Sequence, residues 1–165
     1  MTLIKPSIPK SIILEETLIT ILNNHINQTP NKILYRFLEK GEEESDSRSF
    51  KGLSDNAKRI ALHILECAKP GDRVLLLYPS GLDFTDAFFG CLLAGVIAVP
   101  AFPPQGKRRI GRLENIVADC KASLVLTTDV IYVKSYKWFN NDAFENIKWL
   151  QTDTLTDDID KDLPN

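Results

Sequence analysis

The chain has 165 residues, 44% of them hydrophobic and 25% charged, and its formal net charge is −2. This length suits one domain with one core, and the composition is that of a soluble globular protein. The slightly acidic balance gives no support to a nucleic-acid-binding protein, which needs a clustered basic surface.

Targeting signals are not evident in the chain. The N-terminus lacks the basic, apolar and small-residue succession of a signal peptide. The longest apolar run, Ala87–Phe102, contains glycines and a proline and is shorter than the ~20 residues of a membrane-spanning helix. We therefore expect no transmembrane segment and a cytoplasmic location.

Cysteine and histidine residues do not predict a metal or redox site. The three cysteines, Cys67, Cys91 and Cys120, have no ligand or redox spacing. We expect buried free thiols in a reducing compartment. The two histidines, His25 and His63, have no partner at ligand spacing and are interpreted as ordinary surface or half-buried residues.

A helix and a hairpin are the first predicted elements. Apolar residues recur at helical spacing from Leu14 to Ile26, and Pro30 ends this helix. A weakly alternating strand follows over Ile33–Leu38, and an acidic stretch over residues 39–47 leads to Arg48–Phe50. This stretch could be a docking patch, but we expect it to be the solvated tip of the hairpin.

Helices and short apolar strands alternate from residue 50 onward. Ser49 is expected to cap a helix with Leu53, Ala57, Ile60 and Ile64 on one face. The later predicted elements are a strand at Val74–Tyr78, a helix capped by Asp83 with Phe84, Phe88, Cys91 and Leu92 inward, a strand at Ile97–Val99 stopped by Pro100, a helix over 110–120 with Ile110, Leu113, Val117 and Cys120 inward, a strand at Leu124–Thr127, a helical stretch over 130–139 and a strand at Lys148–Gln151.

These strands carry no period-2 pattern, which predicts an α/β fold with a mostly parallel sheet and helices on both faces. A small N-terminal hairpin precedes it. Residues 1–153 are expected to form this partial unit. Residues 154–165 are acidic, lack periodicity and are interpreted as a linker.

Ligands of open parallel sheets bind outside the carboxyl ends of the strands, where three loops qualify here. Pro79–Asp83 offers a hydroxyl, a glycine and a helix N-terminus, which suit an anion. It has no lysine, however, and a carboxylate at the helix start would repel phosphate. We interpret this turn as a structural corner, and Thr127–Asp129 as a helix cap.

The loop Ala101–Arg109 leads into the chain's basic cluster, formed by Lys107, Arg108, Arg109 and Arg112. It could meet a phosphate or an acidic partner, but a solvated loop entering a helix is favoured. Nothing in the sequence has the pattern of a catalytic triad, a metal site or a dinucleotide-binding GxGxxG. The residues alone indicate an α/β domain without an evident active site.

A resemblance to a known family emerges over about residues 15–155. Three segments resemble, in order, motifs of the N-terminal part of the adenylate-forming enzymes: Ser49–Leu53, Gly71–Val74, and Leu93–Gly95 with Val99–Pro100. Trp149–Asp153 falls where the fatty acyl-AMP ligase branch places a similar strand. Tyr78–Phe84 and Phe102–Pro104 are similar to the fatty acyl-AMP ligase branch. Ser80 stands where that branch usually has a second proline, and Gly52 replaces a helix-favouring residue.

The resemblance implies an N-terminal fragment of an enzyme that joins a fatty acid to ATP, forms acyl-AMP and pyrophosphate, and passes the acyl group to an acyl carrier protein. ATP and Mg²⁺ are implied for the full-length enzyme, and the rest of that enzyme would be a partner. The family's phosphate loop, ribose-binding Asp and C-terminal Lys have no matching positions here. No catalytic, cofactor-binding or metal residue is carried over, and the chain alone is predicted to be inactive.

Three alternatives remain open from the sequence. An acyl-CoA synthetase fragment would share the first half-reaction and use coenzyme A as acceptor. A stand-alone α/β binding module would keep the fold without the chemistry. A flavodoxin-like or receiver-like domain fits the alternation of elements but not the motifs.

Overall fold

The computed structural model describes residues 17–104, 106, 110–135, 144, 147–156 and 163. Leu14, the cations at 107–109 and the end of the helix predicted over 130–139 lie outside them. The elements in chain order are α1 (Leu18–Gln28), β1 (Ile33–Glu39), β2 (Glu43–Ser49), α2 (Phe50–Cys67), β3 (Arg73–Leu77), α3 (Asp83–Leu93), β4 (Ile97–Ala101), α4 (Ile110–Cys120), β5 (Leu124–Thr127), α5 (Asp129–Ser135) and β6 (Lys148–Gln151), which leads into one 3₁₀ turn (Thr152–Thr154).

The hairpin of β1 and β2 is antiparallel, and its turn is much shorter than expected. Lys40 and Gly41 both have positive φ, 54° and 81°, and the Glu42 N–H donates to the Glu39 carbonyl oxygen at 3.2 Å. Two positive φ angles are typical of the turn whose twist matches paired strands. The predicted acidic tip is therefore wrong in extent, because most of the stretch pairs with β1 as strand β2.

A four-stranded parallel sheet forms the centre of the fold, in the order β4-β3-β5-β6. The chain moves from β3 to β4 on one side and then to β5 on the other side of β3. The strands β3 and β5 are buried almost throughout, which explains their unbroken apolar sequence. The predicted α/β class, the parallel sheet and the small hairpin are confirmed.

Helices cover both faces of this sheet. On one face, α2 and α3 pack against a core that includes Ile64, Val74, Leu76 and Cys91. On the other face, Leu113 and Val117 of α4 pack against side chains of β3 and β5. A third cluster, around Leu22, Phe50 and Leu53, attaches α1 to α2.

The capping of α2 agrees with the sequence analysis. The Ser49 hydroxyl accepts a hydrogen bond from the Gly52 N–H at 3.0 Å. The predicted inward face of Leu53, Ala57, Ile60 and Ile64 is buried, at 4% exposure or less. The strand end predicted at Pro100 is wrong, because β4 continues to Ala101 with Pro100 paired to Leu76. Among the described strands β4 is an edge strand, where proline is tolerated.

The helix α3 buries more of its circumference than the predicted apolar stripe. Cys91 is fully buried, but Phe84 and Phe88 are only partly so, while Asp86 and Phe89 are buried instead. The reason is that α3 lies against both α2 and the sheet. Its end forms a Schellman motif, in which Gly95 has φ +68° and the Val96 N–H donates to the Cys91 carbonyl oxygen at 3.1 Å.

Candidate functional site

The carboxyl ends of the parallel strands bring the predicted loops together. The turn after β3, the loop after β4, the start of α5 after β5 and the 3₁₀ turn after β6 all lie at this edge. The chain reverses its winding direction between β3 and β5, which is the position where open α/β sheets place ligands. We call this region the carboxyl edge.

Hydrogen bonds join the strands at the reversal point. The hydroxyl of Thr127, which is fully buried, donates to the Leu77 carbonyl oxygen at 2.7 Å. The Tyr78 hydroxyl and the Thr152 hydroxyl are 2.8 Å apart and share a hydrogen bond. Burial raises the pKa of Tyr78 well above its ordinary value, so this phenol is a neutral structural group.

The Pro79–Asp83 turn does not have the predicted cap. The residue before α3 is Leu82, and no side chain caps the first turn. Asp83 is instead the first helical residue, and its carboxylate is 3.8 Å from the Arg48 guanidinium. Burial raises the pKa of Asp83, and the charges of Asp153 and Asp46 raise it further against the effect of Arg48.

An apolar groove of about 340 Å³ lies beside this turn. Its walls include Tyr78, Pro79 and Phe84 on one side and Pro100 and Phe102 on the other. The Phe102 side chain is 90% exposed. The turn and the loop after β4, the two segments that resemble the fatty acyl-AMP ligase branch in sequence, therefore form one surface.

The start of α5 is capped, as the sequence predicted. The Thr128 hydroxyl accepts from the Ile131 N–H at 3.4 Å. The Asp129 N–H donates to both carboxylate oxygens of Asp153, at 2.9 and 3.2 Å. A carboxylate of the chain thus occupies the position that an anion would take at this helix start.

These contacts do not fit a nucleoside triphosphate at the described carboxyl edge. Carboxylates lie at the starts of both α3 and α5, where phosphate would need N–H donors and cations. The three cations at 107–109 are outside the described residues, and Arg112 is exposed beside a groove of about 290 Å³ with Pro103 and Pro104. The interpretation of Pro79–Asp83 as a structural corner agrees with this geometry.

A buried ion pair at this edge was not anticipated from the sequence. Asp86 is 3% exposed, and its Oδ2 accepts from the Arg48 Nε and from the Asn56 Nδ2, both at 2.9 Å. The Arg48 guanidinium also donates to Asp46 at 2.6 Å. The sequence offers little signal for this pair, because Asp86 is one of two Asp residues at the start of α3 and its partner Arg48 is 38 residues earlier.

Burial and charge act in opposite directions on this pair. Burial raises the pKa of Asp86, and this effect exceeds the opposing effects of Arg48 and Asn56. Burial also opposes the charge of Arg48, but its hydrogen bonds and charge interactions with Asp86 and Asp46 raise its pKa overall. The 2.9 Å contact between the Arg48 Nε and the Asp86 Oδ2 is that of an ionised pair, and burial leaves the Asp86 carboxylate incompletely compensated.

The cysteines are free, as predicted. Cys91 is buried, and burial raises its pKa to about 12, so its thiol is unreactive. Cys67 and Cys120 are only half-buried, which corrects the expectation that all three are buried.

The described residues contain neither a metal-binding cluster nor a membrane-spanning helix. Within 17–104, 106, 110–135, 144, 147–156 and 163, no three His, Cys, Asp or Glu side chains are placed to hold a metal ion. No helix in this part of the chain is both long and apolar enough to cross a membrane.

Residues 22–162 match the sequence profile described as AMP-binding enzyme. The chain belongs to this family. The flavodoxin-like and receiver-like alternative is thereby set aside, and the resemblance to the adenylate-forming enzymes is confirmed. The corner turn, the proline-rich loop and the buried ion pair are therefore features of an AMP-binding enzyme chain.

Relatives of this AMP-binding enzyme chain come from the fatty-acid branch. The medium-chain-fatty-acid–[acyl-carrier-protein] ligase JamA of Moorena producens is 40% identical over 144 residues, covering 84% of the chain. The long-chain-fatty-acid–AMP ligase FadD32 of Mycolicibacterium smegmatis is 33% identical over 133 residues, covering 78%. The chain spans 24% and 21% of the lengths of these two relatives.

A solved structure that resembles this chain is also a fatty-acid ligase. The fatty acyl-adenylate ligase of L. pneumophila, in complex with acyl adenylate and pyrophosphate, superposes with a TM-score of 0.74 at 33% identity. The match covers 91% of the chain and 25% of that protein. The prediction of a fatty acyl-AMP ligase relative is confirmed at the level of family and fold.

Proposed function

We propose that this chain is part of a fatty acyl-AMP ligase. The whole enzyme would activate a fatty acid with ATP, release pyrophosphate and pass the acyl group to an acyl carrier protein in the cytoplasm. The observation that carries the proposal is the 33% identity and 0.74 TM-score to a ligase whose structure contains acyl adenylate and pyrophosphate. Those two molecules are the products that ATP and a fatty acid would give.

The role proposed for this chain is structural. Residues 1–153 would form part of the large domain, with residues 154–165 as a linker. ATP and Mg²⁺ would be held by other parts of the enzyme, where Mg²⁺ would offset the charge of the triphosphate. The described edge supports this division because carboxylates occupy the starts of α3 and α5. We propose no catalytic residue within the chain.

A carrier protein is the acceptor favoured over coenzyme A. JamA is named as a ligase to an acyl carrier protein and is 40% identical to this chain. The Tyr78–Phe84 and Phe102–Pro104 segments lie on opposite walls of one groove. An acyl-CoA synthetase fragment has less support, because these two relatives are named as ligases of a fatty acid to an acyl carrier protein or to AMP. A stand-alone binding module has less support, because both relatives are enzymes.

The test uses the whole protein with dodecanoate, ATP and Mg²⁺, followed by mass spectrometry. We expect dodecanoyl-AMP, and then dodecanoyl carrier protein when a phosphopantetheinylated carrier is added. Reactions without fatty acid, or with an amino acid in its place, are the controls. Absence of the adenylate would contradict the proposed ligase, and efficient dodecanoyl-CoA formation would contradict the proposed acceptor.

A further inference from the structure

Two grooves meet at Phe102 at the carboxyl edge. The larger, of about 340 Å³, lies between the turn after β3 and the end of β4, and the smaller, of about 290 Å³, lies between that strand end and α4. The walls of both grooves include Pro100, Ala101 and Phe102. We call the two grooves together the Phe102 surface, which includes Pro79, Phe84, Pro100, Phe102, Pro103 and Pro104.

The Phe102 surface is apolar and exposed. Phe102 is 90% exposed, the largest exposed fraction among the large hydrophobic side chains of the described residues. No described residue that lines the larger groove is charged, and Arg112 is the one charged residue among those described in the smaller groove. Apolar surface of this kind marks a site of interaction, since its contact with water is unfavourable.

A further strand is not suited to the free edge of β4. The Ile97 N–H donates toward β3, to the Asp72 carbonyl oxygen at 2.8 Å. Successive residues of a strand direct their backbone groups to alternate sides, which places Pro100 on the side away from β3. Proline has no N–H to donate there. Packing of side chains is therefore favoured over strand addition as the contact at this edge.

The partner that the observations favour is another part of the same polypeptide. The chain spans 24% and 21% of the lengths of two fatty-acid ligase relatives. Its described carboxyl edge has carboxylates at the starts of α3 and α5 and does not fit a triphosphate. Under the proposed function, on which this step rests, the ATP-binding residues come from elsewhere in the whole polypeptide and must reach this edge. The segment that supplies them would then meet the Phe102 surface.

We propose that the Phe102 surface packs against the part of the whole polypeptide that supplies the ATP-binding residues, with Phe102 as the central apolar contact. That part contributes apolar side chains, because a charge buried in the uncharged larger groove would have no partner there. A fatty acyl chain, a carrier protein and a second copy of the chain are the competing occupants, and the experiments distinguish them.

The first test is thiol labelling of the whole protein, without ATP or fatty acid. Iodoacetamide labelling of the Phe102→Cys and Ile97→Cys variants is followed by mass spectrometry at each introduced thiol. Ile97 is the matched control, because it begins β4 at the opposite end of the strand and is 49% exposed in this chain. We expect Phe102→Cys to label at least about tenfold more slowly than Ile97→Cys, because the packed partner shields it.

The second test is thermal unfolding of the whole protein in the same buffer. Phe102→Ser should lower the unfolding temperature by a few degrees, because apolar contact with the partner is lost. Ile97→Ser should leave it nearly unchanged. Both measurements are independent of ATP and fatty acid. Failure of the ligase reaction alone would therefore contradict the proposed function and not this contact.

Three results would overturn the proposal. One is labelling of Phe102→Cys at least as fast as that of Ile97→Cys. Another is an unchanged unfolding temperature of Phe102→Ser together with a raised KM for dodecanoate or for the carrier protein, which would make that substrate the occupant. The third is protection that disappears on dilution, which would indicate a second copy. If Phe102→Ser does not fold, hydroxyl-radical modification of Phe102 in the unchanged whole protein decides, with slow modification supporting the contact and fast modification contradicting it.

Discussion

Helices α2 and α3 meet in two different ways, one helical turn apart. At Gly90 the contact is dry and close, since a Cβ there would lie 2.7 Å from Ile60 Cγ2. At Asp86 the contact is polar, runs through Arg48 and Asn56, and borders a cavity of about 220 Å³. The contacts Asn56–Asp86 and Ile60–Gly90 also show that the two helices run in the same direction.

The two ends of this helix pair lie at opposite edges of the sheet. One end stabilises the fold, and the other lies where ligands of such sheets bind. The Gly90 end faces the amino-terminal side of the sheet, where backbone hydrogen bonds close the corners, including Gly71 N–H to the Gly95 carbonyl oxygen at 2.9 Å. The Asp86 end lies at the carboxyl edge, where ligands of α/β sheets bind. Substitutions at the two ends should therefore differ in what they change.

Loss of the cation that pairs with the buried Asp86 should have the largest effect. Arg48→Met leaves the Asp86 carboxylate buried without its charged partner, and should lower the free energy of unfolding by about 3 kcal/mol. The control Arg36→Met removes a surface pair with Glu44 and should change it by less than about 0.5 kcal/mol. Urea unfolding measures both. Equal effects would mean that Asp86 does not depend on Arg48.

Overpacking of the dry contact should come next. Gly90→Ala places a methyl group against Ile60 and 3.2 Å from the Ala57 carbonyl oxygen, and should destabilise the chain by about 2 kcal/mol. Gly111→Ala is the control, because its nearest neighbour, Glu114 Oε2, is 3.9 Å away. That change should stabilise by up to about 1 kcal/mol. Thermal unfolding distinguishes them, and stabilisation by both would contradict the close contact.

A smaller effect is expected where the strands are joined at the carboxyl edge. Thr127→Val keeps the shape but removes the donor to the Leu77 carbonyl oxygen, and should destabilise by about 1 kcal/mol. Thr154→Val removes an exposed hydrogen bond to the Gln151 carbonyl oxygen. We expect this control to be near neutral in the same urea experiment. If Thr127→Val leaves the free energy of unfolding unchanged, the hydrogen bond to the Leu77 carbonyl oxygen does not stabilise this edge.

The smallest expected effect concerns pH. The pKa of Asp83 is raised above its ordinary 3.8 in the folded chain, chiefly by burial. The folded state therefore binds this proton more tightly, so its contribution to stability is present below about pH 3.8 and is lost as pH rises through the folded pKa. Asp83→Asn should show a shallower loss of stability over that interval. A steeper loss would contradict the sign, and Asp55→Asn controls for removal of a carboxylate alone.

Much of the fold could be predicted from local sequence. The apolar spacing of Leu53, Ala57, Ile60 and Ile64 defined the buried face of α2, and Ser49 marked its start. The unbroken apolar run of β3 indicated a strand buried on both faces. These features depend on side chains close in sequence, and their period is enough to assign them.

The candidate site could not be predicted in the same way. Asp is a common N-cap residue, and this suggested that Asp83 caps α3, but the N-cap position is occupied by Leu82. Burial of Asp86 depends on Arg48, which β2 supplies through a hairpin whose register the acidic sequence does not reveal. Pro100 lies within β4 because that strand is at an edge of the sheet formed by the described strands, which only the strand order establishes.

Fatty-acid-dependent exchange between ATP and labelled pyrophosphate tests the central claim most directly. It should be measured for the 165-residue chain and for the whole protein, with dodecanoate and Mg²⁺. We expect exchange above background only with the whole protein, because the described carboxyl edge does not fit a triphosphate. Exchange by the chain alone, or none by the whole protein with any fatty acid, would contradict the proposed function.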